Sequence, residues 1–142
     1  MPNWCNNTVK MTNIVKKFTK SGEFRFKFND ILKMPVELEN TVAPHDKPNW
    51  YDWRVEHWGT KWDLGDDEPD IIDDNTIFFE TAWCPPGGIL AELSRKYRCI
   101  VECDWDEEGG MAGYLAYDNG NCIADEERES HYWDDYEESE EE

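Results

Sequence analysis

Apolar and polar residues alternate at the start of the chain. Cys5, Asn7, Val9 and Met11 interleave with Asn6, Thr8, Lys10 and Thr12. A two-residue period gives a strand over residues 4–12 with its first set on the more apolar face. Ile14, Val15 and Phe18 then fit one side of a short basic helix over residues 13–20, and Phe24, Phe26 and Phe28 alternate strictly with Arg25 and Lys27, which predicts a second strand. Residues 29–38 turn through Pro35, and residues 39–48 are polar with two prolines, a loop pattern. From residue 49 the period changes to that of a helix. Asn49 suits the N-cap, Asp52 the positive end of the dipole, and Trp50, Trp53, His57 and Trp58 one face. Gly59 ends the run.

The second half reads as strands and one helix. Residues 63–74 form an acidic loop carrying Asp63, Asp66, Asp67, Glu68, Asp70, Asp73 and Asp74. Ile77, Phe78 and Phe79 run together within residues 76–83, the pattern of a central strand covered on both faces. Cys84-Pro-Pro-Gly-Gly88 is a tight turn into a helix over residues 88–97 that buries Ile89, Leu90, Leu93 and Tyr97. Residues 99–105 and 111–117 are strands. Asn119-Gly120 is a type I′ hairpin signal, and residues 121–124 begin the return strand. This order predicts an α+β domain over residues 1–124, with a mainly antiparallel sheet and helices packed on one face. Residues 125–142 form a separate acidic tail, disordered in isolation.

Five separated motifs carry a family resemblance. They are Met1-Pro-Asn-Trp-Cys-Asn-Asn7, Trp50-Tyr-Asp-Trp53, Trp58-Gly-Thr-Lys-Trp62, Thr81-Ala-Trp-Cys-Pro-Pro86 and Gly113-Tyr-Leu-Ala-Tyr117 with its Asn119-Gly120 turn. In that order they resemble the YubB-like family of phages, prophages and conjugative plasmids, over roughly residues 1–124. The resemblance implies a ferredoxin-like domain and a mobile-element origin. It brings no catalytic mechanism, and "ferredoxin-like" names a topology rather than an iron–sulfur cluster.

Charge narrows the function classes. The chain has 33 acidic and 14 basic residues, net −19. Residues 125–142 hold 11 acids and one Arg, and the first 124 residues carry a net −9. Direct binding to a phosphate backbone is disfavoured, and attraction to a basic host or phage protein is favoured. Chain length, 39% hydrophobic content and 14% aromatics suit one folded domain. No apolar run reaches the roughly 18 residues of a membrane span, and the start lacks the basic and apolar regions of a signal peptide, so a cytoplasmic setting is expected. Cys5, Cys84, Cys99, Cys103 and Cys122 form no Cys-x-x-Cys pair, and read as buried thiols in a reducing compartment. No metal or other cofactor is expected.

Candidate sites follow from residue type. Residues 49–63 hold four of the eight tryptophans. They either pack a helix on the sheet or line a ligand groove of Trp50, Trp53, His57, Trp58, Lys61 and Trp62. Lys61 would bind an anion there or cross the Trp62 ring. His57 with Asp52, Glu56, Asp63 and Asp66 offers metal-hydrolase residue types without a paired-His spacing. Cys84 precedes a helix, where a thiol can be activated, and Gly87-Gly88 could admit a phosphate; a simple turn accounts for both. In the tail, Tyr132, Trp133, Asp134, Asp135, Tyr136, Glu137 and Glu138 read as a partner-binding motif, as a solubilising tail, or as a segment that folds back on Lys10, Lys16, Lys17, Lys20, Arg25 and Lys27. No catalytic residue is assigned. The leading expectation is a non-enzymatic accessory protein that binds a macromolecular partner and inhibits a basic nucleic-acid-binding host protein through its acidic surface. The alternatives are a nucleic-acid or nucleotide-binding module with rings on an open sheet face, and a carboxylate- or metal-dependent hydrolase.

Overall fold

The computed structural model describes residues 3–65 and 69–130. Strand β1, Trp4–Lys10, leads into a one-turn helix α1, Ile14–Lys17. A small hairpin follows, β2 Thr19–Lys20 with β3 Glu23–Phe24, across a turn whose Ser21 and Gly22 both take positive φ. Helix α2, Phe28–Ile31, a 3-10 turn at Val36–Leu38 and helix α3, Trp50–His57, complete the first half. Strands β4 Asp70–Asp73 and β5 Thr76–Ala82 precede helix α4, Gly87–Tyr97. Strands β6 Ile100–Glu107, β7 Ala112–Asp118 and β8 Asn121–Glu127 end the described fold.

Six strands form one sheet in the order β4-β5-β1-β6-β7-β8, and every pairing is antiparallel. β5 and β6 flank β1 and are joined through α4, which is a split βαβ arrangement. Residues paired across strands share a face. One face therefore carries Val9, Ile77, Phe79, Val101, Cys103 and Leu115, which are buried against Ile14, Phe26, Phe28, Trp58, Leu90 and Leu93. The helices among the described residues pack on that side. Phe26 stacks on Phe79 at 5.7 Å, and Phe28 meets both Phe79 and Trp58 edge-on. At the centre of this face Asn7 is fully buried. Its amide N–H groups donate to the carbonyls of Cys5 and Phe79 and to the Thr81 hydroxyl, so the buried polar group is satisfied.

The structure corrects several readings of the pattern. The expected helix over residues 13–20 stops at Lys17, because Thr19 and Lys20 pair with Glu23 and Phe24. The expected strand over residues 24–28 ends at Phe24. Phe26 and Phe28 are buried as alternation demands, but the N–H groups of Phe28 and Asn29 turn to the Asp63 carboxylate instead of a ladder. The acidic loop contains a strand, since β4 pairs with β5 through Asp70–Phe78 and Ile71–Ile77. β5 is covered on one face only, and Phe78 lies half-buried on the other. Finally, β8 runs three residues past residue 124, and the Arg128 N–H still bonds the Ala112 carbonyl. Among the described residues, no helix is long and apolar enough to cross a membrane.

Candidate functional site

Helix α3 begins where Asn49 caps it: its side-chain oxygen accepts from the Asp52 N–H (2.9 Å), and its amide donates back to the Asp52 carboxylate (3.0 Å). The helix ends at His57, and the chain turns away at Gly59. Its φ of +89° suits glycine, and any Cβ at this position would stand only 2.7 Å from the backbone nitrogen of Gly87. Between these points the aromatic segment packs inward. Trp58 is fully buried and its indole N–H donates to the Leu32 carbonyl at 2.7 Å. The Arg54 guanidinium lies between the rings of Trp50 (5.2 Å) and Trp58 (4.8 Å), where burial lowers its pKa. Trp53 stacks on His57 at 4.3 Å, and the His57 ring also bonds the Trp53 carbonyl.

The six residues of the candidate groove therefore divide. Trp50, Trp53, His57 and Trp58 belong to the packing of α3. Lys61 and Trp62 leave it and join Trp83, a residue the reading of the groove did not include. The Lys61 Nζ sits 4.3 Å from the Trp62 ring centre and 4.0 Å from that of Trp83. Trp62 is 39% and Trp83 44% exposed, so neither is core. Trp4 lies 6.1 Å from Trp62 and extends this aromatic patch to the start of β1. The only signal for Trp83 in the chain was its place at the end of a strand, before Cys84 and a Pro-Pro pair.

The second surface is the uncovered face of the sheet. Register places Asp70, Asp73, Glu80, Glu102, Asp104, Asp106, Asp118 and Glu126 there, with Phe78 and Tyr114 among them. Lys10 and Arg128 are the cations of this face among the described residues. Arg128 pairs with Asp104 at 2.7 Å and Glu126 at 3.6 Å, and lies over the Tyr114 ring. The Tyr114 hydroxyl donates to Glu102 at 2.5 Å, which, as the leading cause, raises its pKa to about 12. The Ser130 hydroxyl donates to Asp106. A broad depression over this face, about 690 Å³, is lined by Asn6, Thr8, Phe78, Asp104, Asp106 and Arg128 among others. The sheet thus shows an acidic surface where a base-stacking sheet would show free rings and cations.

The remaining candidates have structural explanations. The Cys84 thiol donates to the Gly59 carbonyl at 2.8 Å, and burial followed by the nearby Glu107 raises its pKa, the opposite of activation. The Gly88 N–H bonds the Trp58 carbonyl, and the Gly87 N–H bonds that of Pro85. Gly88 is pressed against the His57 carbonyl, so the start of α4 is closed by protein rather than open to a phosphate. Burial also raises the pKa of Cys5, to about 12, and of Cys103. The expectation of five buried thiols is corrected at Cys122, which lies exposed on β8, while Cys84 and Cys99 are half-buried. Asp63 turns inward as the cap of α2. Among the described residues no three His, Cys, Asp or Glu side chains gather as a metal-holding group. Within the basic stretch, Lys27 is held by the Leu64 and Gly65 carbonyls, and Lys17 by the Thr12 carbonyl and the Tyr97 ring. The tail motif from Tyr132 to Glu138 lies outside the described residues.

The model of the ferredoxin-like domain in Api92-like protein matches residues 57–142. The uncharacterized protein YubB of Escherichia coli (strain K12) is 32% identical over 98 residues, covering 65% of this chain and 67% of YubB. The crystal structure of a protein Api92 from Yersinia pseudotuberculosis superposes with a TM-score of 0.45 at 22% identity, over 58% of this chain; the match covers 31% of the Api92 chain. With six antiparallel strands, a split βαβ core and a family match over more than half its length, this chain belongs to the family of the ferredoxin-like domain in Api92-like proteins.

Proposed function

We propose that this chain is a non-enzymatic accessory protein that binds a basic macromolecular partner through the uncovered face of its sheet. The observation behind this reading is the charge of that face: eight carboxylates against Lys10 and Arg128, on a chain of net −19. Such a surface repels a phosphate backbone and steers a cationic one toward it. In this reading the acidic and aromatic residues Tyr132, Trp133, Asp134, Asp135, Tyr136, Glu137 and Glu138 add their charge and rings to the binding of the same partner. The mobile-element origin implied by the YubB-like motifs makes the partner a host or phage protein that itself binds nucleic acid. Carboxylates shown in place of phosphates would then occupy its nucleic-acid site and inhibit it.

The two alternatives have less behind them. A nucleic-acid-binding sheet could use Phe78 and Tyr114, but Asp70 pairs opposite Phe78 and Asp104 opposite Tyr114. A carboxylate hydrolase lacks a convergent acid cluster among the described residues. The test is capture of partners from host lysate by the full chain and by the triple variant Glu102→Gln, Asp104→Asn, Glu126→Gln. The expected result is a basic protein, released by added heparin and lost with the variant. Capture that ignores both heparin and the substitutions rejects the proposal.

A further inference from the structure

The patch formed by Trp62, Lys61 and Trp83 is not explained by packing. Two exposed indoles hold one ammonium between them, at 4.3 and 4.0 Å from the ring centres. Trp83 reaches this position at a backbone cost. Its φ of +71° is unusual for any side chain and more so for a bulky one. Three hydrogen bonds hold the turn: Trp83 N–H to the Asn3 carbonyl, Cys84 N–H to the Ala82 carbonyl, and the Thr81 hydroxyl to the Cys84 carbonyl. Lys61 is fixed from below, since Arg54 donates to its carbonyl at 3.3 Å. Among the described residues the Lys61 ammonium makes no ion pair, although the chain is rich in carboxylates. The rings are its partners. The patch also joins the acidic face. Trp4, which touches Trp62, projects on that face beside Asn6, and Asn6 pairs with Glu80 and Asp106.

Resting on the proposed function, we infer that Trp62 and Trp83 form a cation cage that takes an arginine side chain of the basic partner, with Lys61 as the chain's own placeholder. A guanidinium suits the cage better than an ammonium. It is flat, weakly hydrated and stacks on an indole face, whereas lysine is held in water by strong hydration. The carboxylates supply long-range attraction, and the cage supplies a contact at one side chain. Lys61 occupies the space between the rings in the free protein, and must swing out when the arginine enters. Its removal therefore strengthens binding, which sets this site apart from an ordinary aromatic patch with a helpful cation.

The test is calorimetric titration of the full chain with a hexa-arginine peptide, with hexa-lysine as comparison. Lys61→Met is expected to tighten hexa-arginine binding at least threefold more than Lys96→Met, which removes the same charge at the far end of α4. Trp83→Gly deletes the ring while suiting the positive φ, and is expected to weaken binding at least fivefold, with a smaller effect on hexa-lysine. In nuclear magnetic resonance spectra the indole N–H signals of Trp62 and Trp83 should move with the arginine peptide. The cage is overturned if Lys61→Met binds no tighter than Lys96→Met, or if Trp83→Gly binds as the unaltered chain does. If the cage variants are silent while Glu102→Gln, Asp104→Asn, Glu126→Gln abolishes binding, the cage fails and the acidic-face reading stands. If the cage variants respond and the triple variant does not, the reverse holds. If neither the unaltered chain nor Lys61→Met binds hexa-arginine, both fail.

Discussion

The carboxylate of Asp63 receives three backbone N–H groups, those of Phe28 and Asn29 at 2.8 and 3.0 Å and that of Leu64 at 2.7 Å. It caps the one-turn helix α2 across 35 residues of chain. Charge-assisted bonds to orphan helix donors are among the stronger polar contacts. Asp63→Ala is expected to cost about 2 kcal/mol, read as a lower urea midpoint at an unchanged slope. Asp63→Asn keeps one acceptor and should fall between the two. Tyr114 makes a second residue-scale prediction, on pH. Its bond to Glu102, together with the local carboxylates, raises its pKa from the ordinary 10.0 to about 12. Because the folded value lies above the unfolded one, the stability it contributes is full below about pH 10 and is lost as pH rises toward about 12. An absorbance titration should show a tyrosine transition near pH 12 that is missing from Tyr114→Phe. A transition retained in that variant would assign it elsewhere, and Tyr117, raised by burial, is the residue to examine next.

At the scale of elements, the contact between the end of α3 and the start of α4 is tightest at Gly88. A Cβ on Gly88 would lie 1.7 Å from the His57 carbonyl oxygen, which is backbone and cannot swing away. Gly88→Ala should separate the two helices and cost about 3 kcal/mol or more, visible as a lower melting temperature and a changed near-ultraviolet signal from Trp53 and Trp58. The element pattern explains what the chain made legible. Strands β1 and β6, helix α4 and the Asn119-Gly120 turn that joins β7 to β8 all have a local cause: alternation, an apolar stripe or two positive φ values. The cap of α3 was legible for the same reason, since Asn49 and Asp52 are three residues apart. Asp63 was not, because its three bonds are to groups made available only by folding. Residues 24–28 misled because alternation reports burial of side chains and says nothing about where N–H groups go. Phe78 misled because three successive apolar residues do not reveal which of them faces open water. The aromatic site was legible by half. Lys61 and Trp62 are neighbours in the chain, but Trp83 joins them only because β5 runs beside β1 and delivers its end next to Trp4.

For the whole molecule, the open face sets up a conflict between stability and attraction. Six strands spaced about 4.8 Å apart span roughly 24 Å, so at low salt each carboxylate on the face feels most of the others. The screening length is about 30 Å at about 0.01 M ionic strength and about 8 Å at about 0.15 M. Over that range the repulsion shrinks from a property of the whole sheet to one of adjacent strands. Two terms then compete. Like-charge repulsion on a chain of net −19 weakens with salt and favours folding, while ion pairs such as Arg128 with Asp104 also weaken and oppose it. The four ion pairs found among the described residues are largely at the surface, where each is worth about 1 kcal/mol or less. Repulsion among the many unbalanced carboxylates should win. The melting temperature is expected to rise by a few degrees across this range, and to rise less in the variant Glu102→Gln, Asp104→Asn, Glu126→Gln, which starts higher at low salt. A melting temperature that falls with salt would mean that ion pairs dominate and that the face is internally balanced, which would remove the electrostatic argument for a basic partner. A rise that is the same in the variant would place the repulsion in the rest of the chain. The expected pattern, a face that costs stability when bare and is relieved when its charges are countered, is what a surface kept for a cationic partner requires.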